Sequence, residues 1–297
     1  MIKIVNVRHK TFENLIILLG FFDCLHIGHK SLVELAEKEA RANDAKVAML
    51  TFNDGYEKTL GGSGNVLNFK ERAAKAESLG IDVIITVDFD EGFKNLSPDS
   101  FIELLTSYHR VVGFACGYDF TYGKDAAGNV STLKENCKKL NLPLFVLEKQ
   151  EVCDQKISTS KVKEFLNKGD ISSANKLLGE PYFLVGKVVE GRKVGRKIGF
   201  PTANIEIPSG KMPIMRGVYK THAELDGEIY KGITNYGARP TFHLNEILTE
   251  TYFYGYNGDL YGKEICLKFD DFLRPIQKFS SEEELVERLT EDLESIK

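Results

Sequence analysis

Apolar residues in this chain follow two rhythms, and the change falls near residue 180. Before it, short unbroken apolar runs alternate with segments of helical period. The runs are NLIILLG (14–20), KVAMLTF (46–52), DVIITVDF (82–89), RVVGFACG (110–117) and PLFVLE (143–148). Between them, HKSLVELAEKEARAND, NFKERAAKAESLG, SPDSFIELLTSY and STLKENCKKLN space apolar side chains three and four apart, the mark of amphipathic helices. Ser97 and Pro98 read as an N-cap and first helical residue, and Gly80 as a C-terminal stop. Strands that are apolar without alternation are covered on both faces. Interleaved with helices, they predict a parallel sheet whose ligands sit beyond its carboxyl edge.

The helical stretch VKEFLNKGDISSANKLLG ends at Gly179, and from Tyr182 the segments become short, β-rich and punctuated by turns. YFLVGKVVEG, GVYKTHAEL, EIYKGITNYG, LTETYFYGY and EICLKFDDFL predict a small antiparallel barrel. SSEEELVERLTEDLESIK predicts a closing amphipathic helix, with Ser280 and Glu283 as its capping box. The expected organisation is therefore an α/β domain over residues 1–180 and a β domain over 181–297.

Charge and composition narrow the function. The chain of 297 residues has a formal charge of −4, so it lacks the basic footprint of a nucleic-acid binder. No apolar run is long enough to span a bilayer, and MIKIVNVRHK lacks the apolar core of a signal peptide. The five cysteines (Cys24, Cys116, Cys137, Cys153, Cys266) are scattered, without a CxxC pair, and read as free thiols. A cytoplasmic protein with neither a nucleic-acid nor a membrane partner is expected.

The first half holds its chemistry where a strand gives way to a helix, at GFFDCLHIGH (Gly20–His29). A helix N-terminus offers unsatisfied N–H groups and partial positive charge, which suit phosphate. His26 and His29 can donate to phosphate oxygens there, and Gly28 lets a nucleotide approach the backbone. By spacing alone, a metal pair or a satisfied turn histidine are equally available. The string resembles the G-x-F-D-G-x-H-x-G-H signature of the HxGH-superfamily nucleotidyltransferases, with Cys24 in place of the second glycine. ISTSKVK (Ile157–Lys163) is similar to the superfamily's I-S-S-T-x-I-R signature. Alone, Ser158 and Thr159 would read as a helix N-cap. Beside the first string, they and Lys163 read as a second phosphate cradle.

In the second half, GRKVGRKIGFPTANI (Gly191–Ile205) sets Gly191, Gly195 and Gly199 four apart, followed by Thr202 and Asn204. The glycines suit either a hairpin or a loop whose amides wrap a nucleotide. Thr202 and Asn204 offer oxygens suited to Mg²⁺, which favours few protein ligands plus substrate phosphates. Glu250, within a strand-like segment, reads as a solvated residue or as a general base for an attacking hydroxyl.

GRKIGFPTANI, GVYKTHAEL, GITNYGARPTF, TETYFYGYNGDLYGKEI and LRPIQKFSSEEELVERL together resemble the riboflavin kinase module. Behind an HxGH domain they are similar to the bacterial bifunctional riboflavin kinase/FMN adenylyltransferases, over nearly the whole chain. The resemblance implies a Rossmann-like nucleotidyltransferase domain and a six-stranded kinase barrel with a C-terminal helix. It implies ATP-dependent conversion of riboflavin to FMN, then of FMN to FAD with release of pyrophosphate. It assigns Gly20, Phe22, Asp23, His26, Gly28, His29, Ser158, Thr159 and Lys163 to ATP, and Asp119 to the vicinity of flavin and nucleotide. In the kinase half it assigns Gly191, Gly195, Gly199, Thr202 and Asn204 to ATP, Thr202 and Asn204 to Mg²⁺, and Glu250 to catalysis. The family's T-F-x-P-H-P is here TFNDGYEK, lacking the histidine and both prolines. Two other readings follow: a riboflavin kinase with a degenerate first domain, and a flavin- or nucleotide-binding regulator without turnover.

Overall fold

The computed structural model describes residues 2–56, 64–152, 155–191, 199–238 and 247–296. Its contacts divide it into two compact units, Met1–Thr159 and Ser160–Lys297.

The first unit is built on a six-stranded, wholly parallel sheet. Its strands are β1 (Lys3–Asn6), β2 (Asn14–Leu19), β3 (Lys46–Phe52), β4 (Val83–Val87), β5 (Arg110–Gly117) and β8 (Leu144–Leu147), in the order β1-β4-β3-β2-β5-β8. Short pairs β6/β7 (Thr121–Tyr122, Gly128–Asn129) and β9/β10 (Glu151–Val152, Gln155–Lys156) decorate it. The helices are α1 (Ile27–Ala42), α2 (Phe69–Ser78), the short α3 (Glu91–Lys94), α4 (Pro98–Tyr108) and α5 (Val130–Lys139). Ser97 caps α4 with Pro98 in its first turn, and Gly80 (φ +84°) turns the chain out of α2, as the sequence predicts.

Five of the six sheet strands correspond to the apolar runs. The sixth, β1, has only four residues, partly exposed, and its place at the edge comes from pairing with β4. The run in β2 divides itself between two cores. Leu15, Ile17 and Leu19 pack with Phe101, Leu105 and Leu133 on one face, while Ile16 and Leu18 meet Leu32, Val33 and Ala36 on the other. That division is why β2 cannot alternate with polar residues. From β2 the chain adds β3 and β4 on one side, then crosses to add β5 and β8 on the other. The topological switch point therefore lies between β2 and β5, where α/β sheets open a crevice for ligands.

The second unit opens with α6 (Thr159–Lys168, begun on the last residue of the first unit) and α7 (Ile171–Leu178). A closed six-stranded barrel follows, in the order β11-β12-β15-β14-β13-β16. Its strands are β11 (Tyr182–Val189), β12 (Ala203–Ile205), β13 (Gly217–Leu225), β14 (Glu228–Ala238), β15 (Ile247–Phe253) and β16 (Glu264–Arg274). Three polar side chains face inward and satisfy one another. The Thr221, Thr234 and Thr251 hydroxyls form a buried chain with 2.8 Å links. The last helix, α8 (Glu282–Glu294), is capped one residue later than the sequence suggested. Ser281, not Ser280, is the N-cap and accepts from the Glu284 N–H. The Glu284 carboxylate accepts from the Ser280 N–H and hydroxyl, on the residue before the cap, instead of closing the expected Ser280/Glu283 box. The repeated Ser-Ser-Glu-Glu-Glu offers the cap in either register, so sequence alone does not separate them. No helix among the described residues is long and apolar enough to cross a membrane.

Candidate functional sites

The turn after β2 is held in a shape that local propensity alone would not give. Phe22 (φ +52°) and Leu25 (φ +46°) adopt left-handed backbone, and complete burial of both side chains holds them there. A Cβ on Gly20 would sit 2.9 Å from the Phe22 ring, so only glycine fits. Asp23, fully buried, accepts the Val66 N–H at 2.7 Å and ties the turn to the segment before α2. Lys75 of α2 donates to the Cys24 carbonyl at 3.2 Å. A polar network beneath the surface thus fixes the entry to α1.

His26 is the N-cap of α1, and its Nδ1 accepts the His29 N–H at 3.2 Å. When neutral, its ring therefore carries the proton on Nε2. The two imidazoles stack, with centroids 3.7 Å apart and planes 8° from parallel. A Cβ on Gly28 would press on the His26 ring at 3.3 Å. Burial lowers the His26 pKa to about 4. Burial, then the positive charge of His26 and of Lys75, holds His29 well below its ordinary value. At neutral pH the free protein therefore presents two uncharged imidazoles at a helix N-terminus. His29 Nδ1 is buried without a hydrogen-bond partner among the described residues. Bound phosphate would supply the negative charge that favours protonation.

The pair lines a cavity of about 690 Å³ at the carboxyl ends of β2 and β5, together with Gly20, Phe22, Gly28, Ser158 and Thr159. Thr159 meets the Cys24 thiol at 3.6 Å. Asp119, in the loop after β5, also lines it and accepts from Lys156 at 2.7 Å. Lys163 lies one turn beyond Thr159 on α6, in the second unit. The opposite wall is aromatic: Phe52, Phe89, Phe93, Phe101, Phe120 and Tyr122. Neighbouring rings meet at 5.2–6.1 Å, mostly tilted or edge-on, with Phe120 stacked on Tyr122. Reading the chemistry-bearing strings missed this wall. Its signal was aromatics at the ends of apolar runs, in TF, VDF and YDFTY.

Asp54-Gly55-Tyr56 stands where the resembling family has Pro-His-Pro, and it does structural work. Both Asp54 oxygens accept the Phe69 N–H, at 2.8 and 3.0 Å. Tyr56 packs edge-on against Phe21 at 4.6 Å and donates to Asn65 at 2.5 Å. It therefore buttresses the cavity wall from behind.

Cys24, His26 and His29 hold donor atoms within 4.8 Å of one another, a grouping that could take a metal ion. Parallel rings send their in-plane lone pairs side by side rather than toward one point. The nearby Lys75 cation further disfavours a positive ion. The arrangement suits an anion better.

In the second unit two cavities share a wall at Thr202. One, of about 220 Å³, lies between the barrel and α8, bounded by Thr202, Asn235, Glu250, Tyr252 and Arg274 below and by Leu285 and Leu289 above. The other, of about 350 Å³, is bounded by Pro201, Thr202, Phe253, Tyr256, Asp259 and Tyr261. Asn204 and Glu250 stand opposite each other in the β12–β15 ladder, and Glu250 also faces Asn235 on β14. Cross-strand partners lie about 5 Å apart at Cβ, so the three form a polar row. Asn204 is buried, and its Oδ1 has no hydrogen-bond partner among the described residues. An orphan amide oxygen close in sequence to the Thr202 hydroxyl fits a hard divalent cation.

Gly191 makes that arrangement possible, because a Cβ there would fall 2.1 Å from Asn204 Nδ2. Gly199 has φ +85°, a glycine conformation. Gly195 lies outside the described residues. A buried ion pair anchors α8: Arg274 holds both Asp292 oxygens at 2.7–3.1 Å. Lys220 and Lys231 donate to the Ser295 and Ile296 carbonyls at the end of the same helix.

Comparison with known proteins matches two families to successive parts of the chain. A family profile described as FAD synthetase matches residues 8–161, and one described as riboflavin kinase matches residues 178–297. The chain is 34% identical to the bifunctional riboflavin kinase/FMN adenylyltransferase of Bacillus subtilis, covering 92% of this chain and 89% of that one. It is 31% identical to the protein of the same description from Listeria monocytogenes, over 94% and 90%. Among solved structures it resembles one described as a macrolide-efflux protein from Streptococcus pneumoniae (27% identity, TM-score 0.89), over 99% and 98% of the two chains.

Proposed function

The chain belongs to the bifunctional riboflavin kinase/FMN adenylyltransferase family, and on that premise we propose that its two sites make FMN and then FAD through the residues described above. The substrates are riboflavin, FMN and ATP. The observation that carries the first site is its polarity. A helix N-terminus with two stacked imidazoles closes one end of the cavity, and aromatic rings close the other. Phosphates suit the first end and an isoalloxazine ring the second.

In adenylyl transfer an oxygen of the FMN phosphate attacks the α-phosphorus of ATP, and the bond to pyrophosphate breaks. His26 and His29 donate to the oxygens on which charge builds, which makes them the main source of rate. Uncharged imidazoles can do this, and they gain basicity as phosphate approaches. Ser158, Thr159 and the α1 amides hold the triphosphate, and Asp119 borders the flavin and nucleotide. Gly20, Phe22, Asp23 and Gly28 keep the turn in the shape that presents these groups.

In the kinase unit the shared Thr202 wall joins a site for riboflavin, under α8, to a site for ATP. Glu250 takes the proton from the riboflavin 5′-hydroxyl as that oxygen attacks the γ-phosphorus and ADP leaves. Gly191, Gly195 and Gly199 belong to the loop around the nucleotide. Thr202 and Asn204 would hold a divalent ion, taken here as Mg²⁺, which when bound neutralises phosphate charge. Incubating the purified protein with riboflavin, ATP and Mg²⁺ and separating the flavins tests the whole reading. FMN followed by FAD is expected. FMN alone would favour a degenerate first site, and neither product would favour a non-catalytic binder.

A further inference from the structure

The resembling nucleotidyltransferases carry a glycine where this chain has Cys24, and the structure gives that side chain a partner. Cys24 is fully buried beneath the cradle. Its carbonyl is held by Lys75, and its Sγ lies 3.6 Å from Thr159 Oγ1, hydrogen-bonding range for a large sulfur atom. Burial pushes the thiol pKa up to about 12, so the group is an S–H. Thr159 lines the cavity, while Cys24 lies behind it. The contact joins segments 135 residues apart, the turn after β2 and the start of α6.

We propose that Cys24 is a positioning residue for adenylyl transfer, its thiol holding the Thr159 hydroxyl toward the nucleotide phosphates. The direction of the hydrogen bonds follows from the chemistry. An ionised phosphate only accepts, so the single Thr159 proton must go to it. Thr159 Oγ1 is then left as an acceptor, and the neutral thiol is the donor that faces it. A chain from S–H through O–H to phosphate strengthens each link. Without Cys24, the hydroxyl at a helix start is free to turn to nearby backbone acceptors. The bond exists before and during reaction, so it serves binding of ATP rather than the chemical step. This inference rests on the reading of Thr159 as a triphosphate ligand.

The test is FAD synthesis from supplied FMN by wild type, Cys24→Ala, Cys24→Ser, Thr159→Val and the Cys24→Ala/Thr159→Val double variant. Melting temperature and riboflavin phosphorylation serve as controls. Cys24→Ala should raise KM for ATP about threefold to tenfold, the worth of one ordinary hydrogen bond, with kcat nearly unchanged. Serine keeps a donor but on a shorter bond, so its KM should fall between. In the Thr159→Val background, Cys24→Ala should add nothing. A wild-type KM in Cys24→Ala, or the same factor in both backgrounds, overturns the role of Cys24. An unchanged KM in Thr159→Val instead overturns the assignment of Thr159 to the phosphates.

Discussion

His26 and His29 stack at 3.7 Å, and the backbone N–H of His29 donates to Nδ1 of His26. One histidine thus acts as helix cap and ring partner at once. Both imidazoles are held neutral, because a proton on either would be buried beside the other and near Lys75.

A pH dependence of stability follows. The His26 pKa falls from an ordinary 6.5 to about 4 on folding, so the unfolded chain binds more protons between those values. The contribution of a neutral His26 is complete above pH 6.5 and is lost as pH falls toward 4. The loss is about 3 kcal/mol for one such group. Asparagine can cap the helix as His26 does but does not titrate. Thermal melting from pH 7 to pH 4 should therefore fall less steeply in His26→Asn than in wild type. Parallel curves would remove His26 as the cause.

His29→Asn keeps one donor but loses the imidazole. FAD formation should drop chiefly in kcat, by roughly 10²–10³-fold, as when one transition-state donor is removed. Riboflavin phosphorylation should persist and show that the chain is folded. If His29 is only a packing residue, melting temperature falls and adenylylation per folded molecule does not.

Glu250→Gln keeps shape and removes proton acceptance. FMN formation should fall by about 10²-fold or more, while FAD formation from supplied FMN stays near wild type. Kinase activity within a few-fold of wild type would take the general-base role away from Glu250.

Gly191→Ala puts a Cβ 2.1 Å from Asn204 Nδ2, so the buried amide must move. Kinase activity should fall sharply, and higher Mg²⁺ should restore part of it, because the displaced group is a proposed metal ligand. A loss indifferent to Mg²⁺ would assign the glycine to folding of the loop alone.

The extent of the kinase unit can be tested by truncation. The sequence sets the boundary at 180/181, while the compact unit begins at Ser160. Asn175 of α7 donates to the Phe269 carbonyl and accepts the Tyr182 N–H, and Ile171, Ala174, Leu177 and Leu178 are buried. A fragment of residues 160–297 should fold and phosphorylate riboflavin. One of residues 181–297 loses that cover and should melt lower. Equal melting temperatures would place the boundary at 180/181.

The sequence by itself determined the elements and the identity of the chemical groups. The apolar runs gave five of six sheet strands, because strands buried on both faces need unbroken apolar side chains. The glycines, histidines and hydroxyls at GFFDCLHIGH, ISTSKVK and FPTANI marked the ends where backbone polar groups are left over. Tertiary structure alone decided which of these meet. The edge position of β1, the aromatic wall, the Cys24–Thr159 contact and the Asn204–Glu250–Asn235 row all join residues distant in sequence. So does the pairing that buries Asn204 Oδ1 without a partner among the described residues. Local pattern records how each segment hides its own apolar face. It does not record which other segment will lie across from it, because sheet order and barrel closure are set by packing of the whole chain.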